Sequence, residues 1–110
     1  MKYVVIVTPE AQSNIAAAYE YIAQHSPASA DKWLLELYKK IDGLEQYPRR
    51  FGYAREQAHF ADEIRQLVFK SHRIIFTIDD SMRTVHVAFV RHARMRSVGE
   101  PATGTDSDGD

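Results

Sequence analysis

The chain has 110 residues with 45% hydrophobic and 11% aromatic content, enough for one compact core and too little for two. It contains no cysteine, which removes disulfides, thiolate nucleophiles and cysteine-rich zinc sites. The formal net charge of −1 conceals a division: the stretch Glu100 to Asp110 holds four acids and no base, and the remainder carries 14 basic against 11 acidic residues.

No basic segment leads into a long apolar stretch, and no apolar run reaches the roughly 18 residues of a membrane span, so the expected location is cytoplasmic, with no membrane partner. Lys2 to Val7 is β-branched and apolar on both alternating faces, a pattern that predicts a strand covered on both sides, set inside a sheet or otherwise well covered. Thr8-Pro9-Glu10 then reads as a helix start, with a capping hydroxyl, a proline at the first helical position and an acid at the positive end of the dipole. Ala11, Ile15, Ala18, Tyr19 and Ile22 recur at helical spacing and predict a helix from Pro9 to His25. Ser26-Pro27 repeats the start signal, and Ala30, Trp33, Leu34, Leu37, Ile41 and Leu44 carry the period until Pro48 stops it, which completes a helical hairpin.

From Arg49 to Asp62 the periodicity fails, and Pro48, Gly52 and scattered charge predict a loop of about a dozen residues, a length at which connections are often functional. Three alternating segments follow, Ile64 to Phe69, Arg73 to Ile78 and Thr84 to Val90, and form a meander. Leu67 and Phe69, Ile74, Phe76 and Ile78, and Val85, Val87 and Phe89 each fall on one strand face, offering a broad apolar surface to the hairpin. The fold class is therefore α+β in the order β-α-α-β-β-β, an N-terminal strand and a helical hairpin packed on a small, mainly antiparallel sheet. Residues 99–110 are rich in Gly, Ser, Thr and acid and read as a disordered acidic tail after a domain spanning residues 1–98.

No phosphate loop, His-Glu-x-x-His, nucleophile elbow or calcium loop occurs, so ordinary cofactor enzymology is not expected and no metal or cofactor is assigned. What remains is a set of cations near strand ends: Arg65, His72-Arg73 and the run Arg91-His92-Ala93-Arg94-Met95-Arg96. In a meander the start of the middle strand and the end of the last lie at one edge, which brings Arg73 toward the Arg91 to Arg96 cluster. Guanidinium groups hold phosphates bidentately and stabilise a phosphorane-like transition state, and imidazoles move protons. Metal-independent RNA cleavage needs little more than positioning, a base, an acid and positive charge. Arg73, Arg94 and His92 are the candidate catalytic residues on this reading, with Arg65, His72 and Arg91 around them. Strand-end arginines are more often solvated or paired with carboxylates. Trp33 reads as a core residue, His86 as sheet surface, and Asp79-Asp80 as turn formers.

Ile64-Arg65-Gln66-Leu67, His72-Arg73-Ile74-Ile75-Phe76, Val85-His86-Val87 and Val90-Arg91-His92-Ala93-Arg94, preceded by the helical hairpin, resemble the RelE/ParE superfamily of type II toxins from about Lys2 to Arg96. The Ala-rich, Tyr-containing first helix and the Ser-Pro start of the second are most similar to the ParE-like, plasmid-stabilisation branch. The resemblance implies a bacterial growth-arresting toxin, neutralised by a cognate antitoxin whose disordered segment wraps around it. In the ParE-like branch it implies inhibition of DNA gyrase. The RNA-cleaving branch, which acts with the ribosome on mRNA, implies essential arginines at Arg73 and Arg94, and both match. Its lysines would fall near Ile64 and Gln66, and its C-terminal aromatic has no counterpart near Val98-Gly99. An inactive binding module with this fold is a third expectation consistent with those departures.

Overall fold

The computed structural model describes residues 2–94. Met95 and Arg96 of the basic run, and the tail expected over residues 99–110, lie outside the described residues. Strand β1 (Val4–Val7), helices α1 (Pro9–Ala23) and α2 (Pro27–Asp42), and strands β2 (Ile64–Phe69), β3 (His72–Asp79) and β4 (Thr84–His92) follow in the order read from the sequence. The sheet runs β1-β4-β3-β2, with β1 parallel to β4 and the other pairs antiparallel.

Both helices begin as their sequences dictate. The Thr8 hydroxyl accepts from the Ala11 N–H at 3.2 Å, and that of Ser26 accepts from the Ser29 N–H at 3.2 Å, with proline next in line each time. The hairpin lays Ala11, Ile15, Trp33, Leu37 and Ile41 on one sheet face, against Leu67, Phe69, Ile74, Phe76, Val85, Val87 and Val90. Tyr19 donates to Asp31 at 2.5 Å and ties the two helices together. The helical run past Asp42 tightens into a 3-10 turn over Gly43–Glu45, which keeps Leu44 in the core. Among the described residues no helix is long and apolar enough to cross a membrane.

The structure corrects three of the sequence expectations. First, β1 is an edge strand, not an interior one. Val5 and Val7 pack toward the helices, while Val4 and Ile6 are exposed on the other face, because the segment covering that face reaches only β2, β3 and Phe89 of β4. The edge is blunted by the Tyr3 N–H donating to the Glu45 carbonyl at 2.8 Å and the Gln12 amide donating to the Val7 carbonyl at 3.1 Å.

Second, the stretch after Pro48 is ordered. It forms 3-10 turns at Pro48–Arg50 and Arg55–His59, and it pairs along β2 through Ala54 N–H to Ile64 carbonyl (3.0 Å) and Gln66 N–H to Gly52 carbonyl (3.1 Å). It buries Ala54, Ile64 and Ile75 in a second small core.

Third, Phe89 does not share a face with Val85 and Val87. The β3–β4 register runs Phe76 to Val87 but Ile75 to Phe89, so Ala88 is a β-bulge. Beyond it the side chains swap faces, sending Phe89 to the second core and Val90 to the first. Thr8 stabilises the bulge: its N–H donates to the Val87 carbonyl at 3.1 Å and its hydroxyl to the same oxygen at 2.9 Å. Thr8→Val, which keeps the shape but loses the hydroxyl, should cost about 1–2 kcal/mol as a lowered urea midpoint at unchanged slope, with Thr8→Ser close to the parent.

Candidate functional site

The hairpin joining β2 to β3 turns in two residues, Lys70 and Ser71, with Phe69 opposite His72. Lys70 takes a φ of 53°, a left-handed conformation that costs a non-glycine residue about 1–2 kcal/mol. The turn is held by the Ala93 N–H donating to the Ser71 carbonyl at 2.7 Å, and Lys70 reaches Glu36 on α2 at 2.7 Å. This tip and the end of β4 border a groove of about 510 Å³ against α1. Its apolar side comes from Ala17, Ala18, Tyr21, Ile22 and Trp33, and its polar side from Lys70, His72, Arg91 and His92. The small side chains of α1 make the room, and Tyr21 stands exposed at the rim.

At the polar end, His72 packs edge-on to Trp33 and to His92, each with ring centroids 5.3 Å apart. The two histidines face each other because they are direct partners across β3 and β4. The Nδ1 of His72 is buried and, among the described residues, has no hydrogen-bond partner. Burial, with a smaller contribution from the charge of His92, lowers the His72 pKa below its ordinary value of 6.5. Trp33 is thus a core residue, as its helical spacing predicts, that also shows an edge to the groove.

The six candidate site residues read from the sequence do not form one cluster. His72 and His92 meet at the groove, which Arg91 borders only from the strand, its charge facing those of Glu56 and Arg73. Arg94 is exposed just beyond, its backbone N–H donating to His92 Nδ1 at 3.1 Å. Arg73 pairs with Arg91 in the strand register, and the two share the reverse face of the sheet, where Arg73 is only 3% exposed. Its guanidinium donates to both carboxylate oxygens of the fully buried Glu56, at 2.9 and 2.6 Å, and to Gln66 Oε1 at 2.9 Å. Arg91 is half-buried near this pair, and burial lowers its pKa, opposed by the charge of Glu56 and reinforced by that of Arg73. Arg65 sits at the start of β2, bonded to Glu63 at 2.6 Å and to the Phe51 carbonyl at 2.7 Å.

Glu56 is the residue that sequence reasoning missed. It stands 17 positions from Arg73 in a segment with no periodicity, and no spacing rule connects the two. Asp79 behaves as turn chemistry, accepting from the Ser81 hydroxyl at 2.7 Å and the Met82 N–H at 3.1 Å, whereas the Asp80 carboxylate accepts from the Tyr3 hydroxyl at 2.8 Å and from Arg49 at 3.0 Å.

The model of the family described as "ParE toxin of type II toxin-antitoxin system, parDE" matches residues 5–97. The chain belongs to the ParE toxin family. This ParE-family chain is 31% identical over 90 residues to Toxin RelE2 of Caulobacter vibrioides, an alignment covering 81% of this chain and 93% of that protein. Its fold is similar to that in the chromosomal ParDE system of P. aeruginosa, with a TM-score of 0.67 at 16% identity over 83% of this chain and 96% of the other. It is also similar to the RelBE2 toxin–antitoxin complex of Mycobacterium tuberculosis, with a TM-score of 0.60 at 23% identity over 84% and 92%. The α+β architecture of the ParE and RelE toxins is therefore that of this chain.

Two predictions come from the charges of this site. Glu56→Gln leaves Arg73 buried without its counter-ion and should cost about 3–5 kcal/mol in urea unfolding, whereas Glu56→Leu combined with Arg73→Met should recover most of that loss. His72 binds its proton less readily folded than unfolded, so its contribution to stability is full above about pH 6.5 and is lost as pH falls through the lowered folded-state pKa. The melting temperature should accordingly drop on acidification from neutral pH, and the drop should be shallower in His72→Gln.

Proposed function

We propose that this chain is the growth-arresting toxin of a type II pair, that its cognate antitoxin silences it by occupying the groove beside α1, and that its target is DNA gyrase. The observation behind the choice of target is the burial of Arg73. A guanidinium whose charge is met by both oxygens of Glu56, on the face away from the groove, is poorly placed to hold a scissile phosphate. The RNA-cleaving branch implies a working arginine at this position and lysines near Ile64 and Gln66. Here Gln66 instead accepts a hydrogen bond from Arg73. Those features favour a poison that works by binding.

The antitoxin reading is supported by the groove and by the likeness to toxins whose solved structures are toxin–antitoxin systems. An apolar floor of Ala17, Ala18, Ile22 and Trp33 suits the apolar face of an amphipathic helix, and Lys70 at the polar end suits an acid beside that face. A segment that folds as it binds spends part of its interaction energy on ordering, so filling the groove should be decisive. Ala17→Trp should leave the chain as toxic as the parent while weakening the antitoxin encoded by the neighbouring reading frame at least about 50-fold, on the order of 2 kcal/mol. Viable counts with and without co-expressed antitoxin, together with calorimetric titration, check this.

A second reading, a ribosome-associated mRNA endonuclease, is favoured by one observation: the His72 and His92 rings stand 5.3 Å apart, with Arg94 exposed just beyond. The two readings separate on purified protein. Gyrase inhibition predicts loss of ATP-driven supercoiling and no new message ends in primer extension. New ends with supercoiling intact, abolished by His92→Ala and Arg94→Ala, would move the assignment to RNA cleavage. Growth unaffected by soluble expression would leave an inactive binding module.

A further inference from the structure

Between Glu45 and Glu56 the sequence holds Tyr47, Phe51 and Tyr53, interleaved with Arg49, Arg50 and Arg55, and no acid. The fold places two of these rings in water, Tyr47 at 78% and Tyr53 at 60% exposure. Neither belongs to a core cluster. Tyr47 is also held at a φ of 47°, a left-handed conformation that persists where the surroundings enforce it and that gathers at functional sites. Arg50 enforces it, donating to the carbonyls of Gln46, Tyr47 and Gly43.

The cations beside the rings are planar and fixed. The Arg50 guanidinium lies 4.4 Å from the Phe51 ring centroid, and that of Arg65 lies 4.3 Å from the Tyr53 centroid. Glu63 and Asp80 meet the charge of Arg49, and Glu63 also meets that of Arg65. Arg50, among the described residues, has carbonyl oxygens for partners and no carboxylate. Exposed tyrosines at positions 47 and 53, on either side in sequence of an arginine with no carboxylate partner among the described residues, offer what unpaired bases and the phosphates between them require. The interleaved guanidinium groups deny a protein partner a continuous apolar patch.

We propose that this surface binds single-stranded nucleic acid, with Tyr47 and Tyr53 stacking on bases and Arg50 meeting a phosphate. It lies where β2 begins and β3 ends, at the end of the sheet remote from the Lys70-Ser71 tip and the groove beside it. A partner seated in the groove leaves it open. The binding requires neither gyrase inhibition nor RNA cleavage, so its test is independent of both.

The experiment is fluorescence anisotropy of the full chain with labelled oligo-U and oligo-dT of about 12 nucleotides, and with a duplex of the same length, over a salt series. Both single strands should bind more tightly than the duplex. Tyr47→Ala and Tyr53→Ala should each weaken binding about fivefold or more, with Tyr→Phe at either position restoring it. Arg50→Gln should reduce the salt slope by about 0.7. Circular dichroism melting separates lost binding from lost fold, and quenching of tyrosine emission by oligo-U in the unaltered chain reports stacking without any variant. Tighter binding of oligo-U than of oligo-dT would identify RNA as the source of the bases, and parity would identify a site that accepts either strand. No binding of either strand, equal affinity for the duplex, or alanine variants that bind like the parent would overturn the proposal.

Discussion

One extra residue in β4 decides which chemistry faces the helices. Ala88 has no partner on β3, and from that point the alternation of β4 is inverted. Val90 enters the main core and His92 comes opposite His72, whereas an unbroken register would have put Phe89 and Arg91 on the helical side. The bulge leaves backbone groups that α1 satisfies at both ends of the irregularity: Thr8 donates to the Val87 carbonyl, and the Val90 N–H donates to Asn14 Oδ1 at 3.0 Å. A helix cap and a groove-lining asparagine thereby hold the strand that carries His92. The groove's apolar floor and polar end are consequences of the same contact between α1 and β4.

The second constraint is the buried pair of Glu56 and Arg73. Two charges removed from water are expensive, and their attraction offsets that cost only with close bidentate geometry and further hydrogen bonds, which Gln66 supplies here. The pair pins the segment between α2 and β2 over the far side of the sheet, where Ala54, Ile64 and Ile75 complete a small core. Arg73 is thereby part of what holds this segment against the sheet. Loss of activity on replacing Arg73 would therefore report folding as readily as chemistry, which makes the exposed His92 and Arg94 the informative positions.

The two ends of the sheet consequently differ in kind. One presents an apolar groove bounded by a strained turn, two histidines and small helical residues. The other presents Arg50 and Arg65 laid over aromatic rings, with Arg49 paired to Glu63 and Asp80 and Arg65 to Glu63. The segment that connects the helices to the meander builds the second end and covers the back of the sheet, so its ordering is a condition of both.

The sequence by itself determined the order of elements, the two helix starts and their apolar faces, the three meander strands and the membership of the ParE family. These depend on local rules, because capping, helical period and strand alternation each act over a few residues. It also made legible that the start of β3 and the end of β4 share one edge, where Arg73 pairs with Arg91 and His72 with His92. Only the tertiary structure decided that β1 lies at the edge, because apolar residues on both faces of a strand do not reveal what covers them. It alone placed the bulge at Ala88, where Ala88-Phe89-Val90 alternates no differently from a regular strand until α1 supplies bonding partners. The burial of Arg73 was equally invisible, since a guanidinium is exposed by default and only Glu56, 17 residues away on an aperiodic segment, supplies the charge that permits it inside.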